Sequence, residues 1–129
     1  MKSGDIPSEL SITMDGACEL SLECWRLRRL AEQARDSNIG PGLRYAVRRM
    51  TGTLEKLGIE VLDFAGWTYD PGMVPDVVEV REDAALQAGQ AIIDETIAPT
   101  VMWHKHVVRP GQIIVRRPIE NPQVSEVTE

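Results

Sequence analysis

The chain has 129 residues, with 14 lysine and arginine residues against 20 aspartate and glutamate residues, which gives a formal net charge of −6. This length predicts one compact domain, or a small domain with an appendage. The negative charge argues against a surface devoted to nucleic acid or to an anionic membrane, and the sequence has no apolar run of about twenty residues. We therefore expect a cytoplasmic protein without a membrane segment.

The charge is distributed unevenly along the chain. Seven arginines lie between Arg26 and Arg49, where only Glu32 and Asp36 oppose them, and the rest of the chain is acidic. A basic segment of this kind suggests an internal electrostatic match, for example between subunits. A local nucleic-acid patch is an alternative that we do not favour, since no aromatic or glycine-rich reading motif accompanies the arginines.

The two cysteines, Cys18 and Cys24, are six residues apart in a segment that has the spacing of a helix. Their side chains then point to different faces, so we expect no disulfide between them. Both are interpreted as small apolar core residues, consistent with a reducing cytoplasm.

Apolar residues that recur in steps of three and four predict a first helix packed against another helix. These positions are Ala17, Leu20, Cys24, Leu27, Ala31 and Ala34. Leu22, Trp25 and Leu30 lie off this stripe, which predicts a second buried face. The segment DSNIGPG at residues 36–42 contains asparagine, glycine and proline, so the helix should end there.

The same spacing predicts a second helix, with apolar positions at Leu43, Val47, Met50, Leu54 and Leu57. Gly58 is expected to end it as a C-cap residue. The two helices form a helical hairpin within residues 1–57, and its apolar surface exceeds what one hairpin can bury. We therefore expect a dimeric four-helix bundle, with an interface made of Leu20, Cys24, Leu27, Ala31, Leu43, Val47, Met50 and Leu54.

Short β-branched runs replace the helical spacing from Ile59 onward. They fall at residues 59–64, 77–80, 92–93 and 107–115, separated by turn signals such as Asp70-Pro71-Gly72. Because no long helix separates these runs, we expect a compact antiparallel sheet. The sequence thus predicts an α+β fold, with a β-wing domain over residues 58–117 and an extended or disordered tail over residues 118–129.

The triplet His104-Lys105-His106 resembles the start of a metal site, because histidines two apart on a strand point the same way. Two ligands without a third make a weak site, and only Asp94 or Glu95 could add a carboxylate. We interpret the triplet as the polar tip of a β-hairpin and expect no metal or other cofactor.

The acidic residues near the chain centre are interpreted as solvated loop charges, and no catalytic residues are expected. They are Asp70, Asp76, Glu79, Glu82 and Asp83. Neither a Ser-His-Asp set nor a phosphate-binding glycine loop is present in the sequence. Binding is therefore the expected class of function, and the protein is not expected to be an enzyme.

Residues 54–80, LEKLGIEVLDFAGWTYDPGMVPDVVEV, resemble GrpE, the family of nucleotide exchange factors for DnaK-type chaperones. In that family a helix ends in a Leu-Glu-Lys-x-Gly-hydrophobic-Glu run, as residues 54–60 do here. An Asp-Pro pair follows, matching Asp70-Pro71, and then a hydrophobic strand, matching residues 77–80. The family's closing strand, Val-hydrophobic-Arg-Pro-Ala-x-Val-x-Val, is matched by residues 107–115 with Gly111 in place of the alanine.

The chain also departs from the family pattern. GrpE proteins usually carry a long N-terminal helix that pairs with its twin, and we expect at most a few turns of it before Ala17 in this chain. The family often has a glycine at the tip of the last hairpin, where this chain has Lys105. His104-Lys105 is a poor choice for a tight two-residue turn that needs positive φ angles, so we expect a looser tip.

The resemblance implies a dimer whose β-wing enters the cleft of a DnaK-type ATPase domain and favours the open cleft, which holds ADP poorly. The positions that would contact the chaperone are His106, Val107, Arg109 and Val115, with Asp70 and Pro71 shaping the loop beside them. For Val107 and Val115 the alternative is an ordinary sheet core. For Arg109 it is a solvated or intrachain-paired side chain.

A second hypothesis keeps the GrpE-like architecture without the exchange activity. The protein would then be a dimeric adaptor that holds a partner protein through its helical bundle, using the basic face between Arg26 and Arg49. Binding of nucleic acid through the same face would show a steep dependence on salt concentration.

Overall fold

The computed structural model describes residues 6–119, which form two helices followed by six strands. The helices are α1 (Met14–Gln33) and α2 (Gly40–Lys56). The strands are β1 (Ile59–Leu62), β2 (Asp76–Glu82), β3 (Ile92–Ala98), β4 (Thr100–Trp103), β5 (His106–Arg109) and β6 (Gln112–Arg117). The α+β prediction is confirmed at this level. Of the predicted tail at residues 118–129, only Pro118 and Ile119 lie within the described residues.

Local sequence signals set the ends of both helices. The hydroxyl of Thr13 accepts a hydrogen bond from the backbone N–H of Gly16 at 3.0 Å, which caps the start of α1. Pro41 lies in the first turn of α2, where a missing N–H costs nothing. Gly58 follows the end of α2 with φ +86°, the left-handed conformation expected of a residue just past a helix.

The two faces predicted for α1 are only partly buried by the rest of the chain. Ala17, Cys24 and Ala31 on the stripe are buried, and so are Leu22 and Trp25 on the second face. The other three leucines of this helix, Leu20, Leu27 and Leu30, are half-buried or exposed. Both cysteines are buried and free.

The strands form two three-stranded sheets instead of the single sheet that the sequence predicted. The first sheet has the order β1-β4-β5 and is antiparallel throughout. The second sheet has the order β2-β6-β3, in which β3 is antiparallel to β6 and β2 is parallel to it. The antiparallel prediction is therefore wrong for the pairing of β2 with β6. Between β2 and β6 the chain passes through β3, β4 and β5, so the crossover that joins these parallel strands contains no helix.

Two hydrophobic clusters hold the fold together. The junction core consists of Ala17, Cys18, Ile59 and Val101, with Leu54 and Val108 packed against it. The wing core consists of Ile93, Ile113 and Val115, surrounded by Phe64, Tyr69, Met73, Val77 and Ala91. The junction core joins α1 to the first sheet, so hydrophobic packing crosses the predicted division at residues 57/58.

The tip of the β4–β5 hairpin is tighter than the sequence predicted. Trp103 pairs with His106, which leaves His104 and Lys105 as a two-residue turn with φ angles of +47° and +68°. Such angles match the twist of a hairpin and usually call for glycine or asparagine. The ring of Trp103 lies 4.4 Å from that of His104, and Lys105 Nζ lies 2.8 Å from Glu60 Oε1. These contacts support a turn that local preference alone does not favour, and the prediction of a looser tip is wrong.

Candidate protein-interaction site

Three of the predicted partner-binding residues lie together on β5, an edge strand of the first sheet. His106 and Val107 are exposed, and Val107 retains 41% of its accessible surface. Among the described residues β5 pairs only with β4, so one edge of the strand is free of sheet partners. Edge strands of this kind offer unpaired backbone groups to another chain. The strand can therefore contact another protein without rearrangement of the sheet.

Arg109, the third of these residues, is turned toward α1. Its Nη1 atom lies 3.2 Å from Glu19 Oε1, and its Nη2 atom lies 3.7 Å from Asp15 Oδ1. These two acidic residues are one turn apart on the same face of the helix. The alternative of an intrachain-paired arginine is thus the arrangement in this structure. Pairs at a partly exposed site are weak, so Arg109 can exchange these carboxylates for others.

Val115 lies on β6, the central strand of the second sheet, and its exposed fraction is 0%. Its side chain belongs to the wing core with Ile93 and Ile113. The expectation that Val115 faces a partner is therefore corrected in favour of the sheet-core alternative. Consecutive residues of a strand are buried together when both faces of the strand are covered. Ile113, Ile114 and Val115 are all buried in this way.

Asp70 and Pro71 lie in the loop between β1 and β2. The Asp70 carboxylate accepts a hydrogen bond from the backbone N–H of Gly72 at 3.0 Å. The backbone carbonyl of Asp70 accepts a second one from the backbone N–H of Met73 at 2.9 Å. Both bonds shape a tight turn. Tyr69 and Met73 pack against the wing core, which places this loop beside the second sheet. The six predicted partner-binding residues therefore fall in three places: β5, the wing core and this loop.

The two histidines do not share a strand face. His104 is in the turn and His106 is in β5. Asp94, one of the two carboxylates considered as a further ligand, is engaged by Arg81 at 2.9 Å and by Arg116 at 2.8 Å. Within residues 6–119 no three His, Cys, Asp or Glu side chains are grouped as metal ligands would be.

The predicted dimer-interface residues divide into two sets. Cys24, Ala31 and Val47 are buried inside the helical hairpin. Leu27, Leu43 and Leu54 are half-buried, and Leu20 and Met50 are exposed, Leu20 to 57%. The second set continues into an apolar groove between the helices that is lined by Leu20, Cys24, Arg49, Met50, Thr53, Leu54 and Leu57. We name this surface the helical groove. Leu20, Met50 and Leu57 are its exposed large apolar side chains.

A partly buried connection that the sequence analysis did not identify is centred on Asp63, just after β1. Its Oδ2 atom accepts a hydrogen bond from Trp25 Nε1 at 2.9 Å, and its Oδ1 atom accepts bonds from Thr96 Oγ1 at 2.6 Å and from the Ala65 N–H at 3.0 Å. One carboxylate therefore joins α1 to the second sheet. The available signals were an acidic residue between apolar neighbours and a tryptophan off the helical stripe.

The surroundings of Asp63 lower its pKa. Burial acts to raise the pKa, but the hydrogen bonds from Thr96, Ala65 and Trp25, together with the charge of Arg28, outweigh it. The pKa therefore lies below the ordinary value of 3.8. The carboxylate is charged at neutral pH, where it can accept all three hydrogen bonds.

The tip of the β4–β5 hairpin is anchored on the end of α2. The indole Nε1 of Trp103 donates to the Leu57 carbonyl at 3.1 Å, and the backbone N–H of His104 donates to the Gly58 carbonyl at 2.9 Å. A Cβ atom on Gly58 would lie 2.5 Å from Cε1 of His104. Gly58 thus does more than end the helix, because its missing side chain makes room for the imidazole.

The second sheet carries a network of charged side chains rather than a set of isolated solvated carboxylates. Arg81 contacts Glu79 at 2.6 Å, Asp94 at 2.9 Å and Glu95 at 3.6 Å. Arg116 pairs with Asp83 and Asp94. Hydrogen bonds from the Ala85 N–H and from Arg116 lower the pKa of Asp83. The predicted solvated cluster is therefore partly paired.

In comparisons with known proteins, no protein family matches the chain and no curated protein is similar to it. Among the described residues, neither helix has the length and apolar character that crossing a membrane requires.

Proposed function

We propose that the protein is a GrpE-like nucleotide exchange factor that binds the ATPase domain of a DnaK-type chaperone and promotes release of ADP. The observation that supports this best is a helical hairpin joined through one hydrophobic core to a β-region whose β5 strand has an exposed edge. This order of elements agrees with the resemblance noted in the sequence. The proposal places the protein in the cytoplasm, where such chaperones act.

The proposed mechanism involves binding alone and no catalysis. The factor binds the chaperone with its nucleotide cleft open better than with the cleft closed, and the open form loses ADP faster. Thermodynamic linkage then requires that ADP weaken binding of the factor by the same ratio. Val107 and His106 are the exposed side chains of β5 proposed to contact the chaperone, with Arg109 available if a partner carboxylate replaces Glu19.

The proposed exchange factor is a homodimer. The helical groove exposes Leu20 and Leu57, and a second copy packed against it would give the four-helix bundle. Sedimentation equilibrium at micromolar concentration tests this arrangement. A monomer under these conditions contradicts the bundle.

The exchange proposal is tested by measuring release of fluorescently labelled ADP from the purified DnaK-type chaperone of the same organism. Addition of the chain is expected to accelerate release, and Val107→Asp is expected to reduce that acceleration by about tenfold or more through loss of an interface contact. Val78→Asp is the matched control, because Val78 is a similarly exposed valine, at 51%, on an edge strand of the other sheet.

Failure of the wild-type chain to accelerate release contradicts the exchange function. Acceleration that Val78→Asp and Val107→Asp reduce equally contradicts β5 as the contact strand. These two results are distinct, because the first concerns the activity and the second only the site.

The dimeric adaptor without exchange activity is the second candidate. It is favoured by the engagement of Arg109 with Glu19 and Asp15 and by the burial of Val115, since both remove predicted contacts from the wing surface. The adaptor would bind its partner protein through the helical bundle. A dimer that does not accelerate ADP release is the result expected for this candidate.

A further inference from the structure

Four of the seven arginines between Arg26 and Arg49 have partners three or four residues earlier in the chain. Arg26 pairs with Glu23, and Arg35 pairs with Glu32 at 2.7 Å. Arg29 stacks over the Trp25 ring at 4.7 Å and reaches the Thr96 carbonyl, and Arg49 stacks over the Tyr45 ring at 5.8 Å. The contacts of these four arginines explain their positions without any external partner.

The other three arginines, Arg28, Arg44 and Arg48, form no ion pair with a carboxylate within residues 6–119. The Nη1 atom of Arg44 is buried and has no hydrogen-bond partner among the described residues. Arg28 and Arg48 are exposed. Of the three, Arg28 contributes its charge to the lowered pKa of Asp63, and only Arg44 leaves a buried N–H group without a partner in the described part of the chain.

These three arginines share one side of the helical hairpin. Arg44 and Arg48 are one turn apart on α2, on the face that continues to Thr51. Thr51 and Arg28 line the same cleft between the helices and β1, at whose other end lie Glu55 and Glu60. We name Arg28, Arg44 and Arg48 the arginine face. It lies on the opposite side of α2 from Met50 and Thr53 in the helical groove, because these positions are about half a turn away.

The chemistry of the surrounding protein favours a short acidic ligand over a nucleic acid. A long polyanion that binds the arginine face would also meet the acidic remainder of the chain. Single-stranded nucleic acid needs aromatic surfaces for base stacking. On the helical hairpin Trp25 is buried, which leaves Tyr45, 55% exposed and beside Arg49, as the single aromatic ring available for stacking among the described residues of the two helices. A short protein segment avoids the repulsion and needs no stacking surface.

The spacing of the arginines indicates how such a segment would be arranged. Arg44 and Arg48 are separated by about 6 Å along the helix axis, from a rise of about 1.5 Å per residue. Alternate side chains of an extended strand are about 6.6 Å apart and point the same way. Carboxylates at alternate positions of an extended chain therefore match the spacing of these guanidinium groups, with two hydrogen bonds available at the exposed Arg48 and those of the N–H groups outside the buried Nη1 at Arg44.

We propose that the arginine face binds an extended segment of a partner protein in which acidic residues alternate with small polar ones. This proposal names the kind of partner segment that the basic face of the adaptor candidate would bind, and it does not depend on nucleotide exchange. It assigns a ligand class to side chains that neither the helical groove nor β5 uses.

The test measures binding of the full chain to a fluorescein-labelled peptide of five Glu-Ser repeats by fluorescence anisotropy at low salt. Arg44→Gln/Arg48→Gln is expected to weaken binding by about tenfold or more, since two charge-assisted contacts are lost. Arg26→Gln/Arg35→Gln removes the same charge from arginines that already have partners, and it is expected to change affinity less than about threefold. A peptide of the same composition with the sequence Glu-Glu-Ser-Ser-Glu-Glu-Ser-Ser-Glu-Ser has no two glutamates two positions apart, and it is expected to bind about threefold more weakly than the alternating one.

Equal weakening by the two double variants overturns the proposal, because net charge alone would then explain binding. Absence of peptide binding at low salt overturns it too, as does tighter binding of a ten-nucleotide RNA than of the alternating peptide. Because Arg44 is partly buried, the helical circular dichroism of its variant is checked first. If that signal is reduced, Arg28→Gln/Arg48→Gln replaces it, since both of those side chains are exposed.

Discussion

The two sheets have the same number of strands but are held in the protein in different ways. The first sheet shares its hydrophobic core with α1, through Ala17 and Cys18 packed on Ile59 and Val101. The second sheet builds the wing core mainly from its own strands and the loop between β1 and β2. The first sheet therefore has a position fixed by the helices. The second is attached to them chiefly through polar contacts at Asp63 and Arg29.

This difference also separates the surface proposed for partner binding from the surface that stabilises the wing. β5, in the first sheet, is close enough to α1 for Arg109 to reach Glu19. A partner that binds β5 would therefore affect the helices directly. Val115, in the second sheet, is fully buried, so its side chain is not accessible to a partner protein.

The largest effect is expected from truncation in the wing core. Ile113→Ala removes a side chain that is 1% exposed and should lower the free energy of unfolding by about 2–5 kcal/mol. Urea unfolding followed by helical circular dichroism measures this loss. Because Asp63 and the junction core connect the two regions, we expect the helices to unfold in the same transition. A helical transition unchanged by Ile113→Ala, with loss of hydrogen-exchange protection confined to β6, would show that the two regions unfold independently.

The next effect concerns the anchor between the β4–β5 hairpin and α2. Gly58→Ala places a side chain at φ +86° and within 2.5 Å of the His104 imidazole, and it should destabilise the protein by about 2 kcal/mol or more. Gly66→Ala is the matched control, because Gly66 has φ +87° but nothing within 4 Å of the added Cβ atom. Thermal unfolding of both variants separates backbone strain from steric displacement. Equal losses of stability in the two variants would mean that the His104 ring moves aside without a cost in free energy.

A smaller, pH-dependent effect is expected at Asp63. Asp63→Asn replaces a charged acceptor of three hydrogen bonds and should cost about 1–2 kcal/mol at pH 7. The pKa of Asp63 is lowered by folding, so its contribution is full above the ordinary pKa of 3.8 and is lost as the pH falls through the lower folded value. Chemical unfolding of wild type and variant between pH 7 and pH 2 checks this. A difference that stays constant over this range would exclude the carboxylate as its source.

The sequence predicted the parts of the fold that depend on residues close together in the chain, and it missed those that depend on distant residues. The helices followed from apolar spacing and from breakers at residues 36–42, both local features, and the end of α2 followed from Gly58. The parallel pairing of β2 with β6 was not predictable in this way, because it joins strands separated by most of the β-region. The direction of this pairing is set by contacts between strands that are distant in the sequence.

The candidate site shows the same limit. The exposure of Val107 on a β-branched strand was within reach of the sequence, but alternation could not separate it from Val115, whose strand is covered on both faces. The turn at His104-Lys105 was misjudged because its support comes from Trp103 and Glu60, which lie outside the turn itself. The bond network of Asp63 unites residues from three elements, so no local pattern identified it.

The smallest effect tests the connection between β5 and α1, where the proposed partner surface meets the junction core. Arg109→Ala, Glu19→Ala and the double variant form a double-mutant cycle on the free energy of unfolding. The 3.2 Å pair is partly exposed, so we expect a coupling of about 0.2–1 kcal/mol that declines with added salt. Asp15 also contacts Arg109, at 3.7 Å, and keeps part of the attraction when Glu19 is removed. The coupling should therefore rise when the cycle is repeated on Asp15→Asn, since Glu19 then becomes the sole acidic contact of Arg109 in the described part of the chain. A coupling near zero in both backgrounds would leave Arg109 free in solution, and the first sheet would then be joined to α1 by apolar packing without this ion pair.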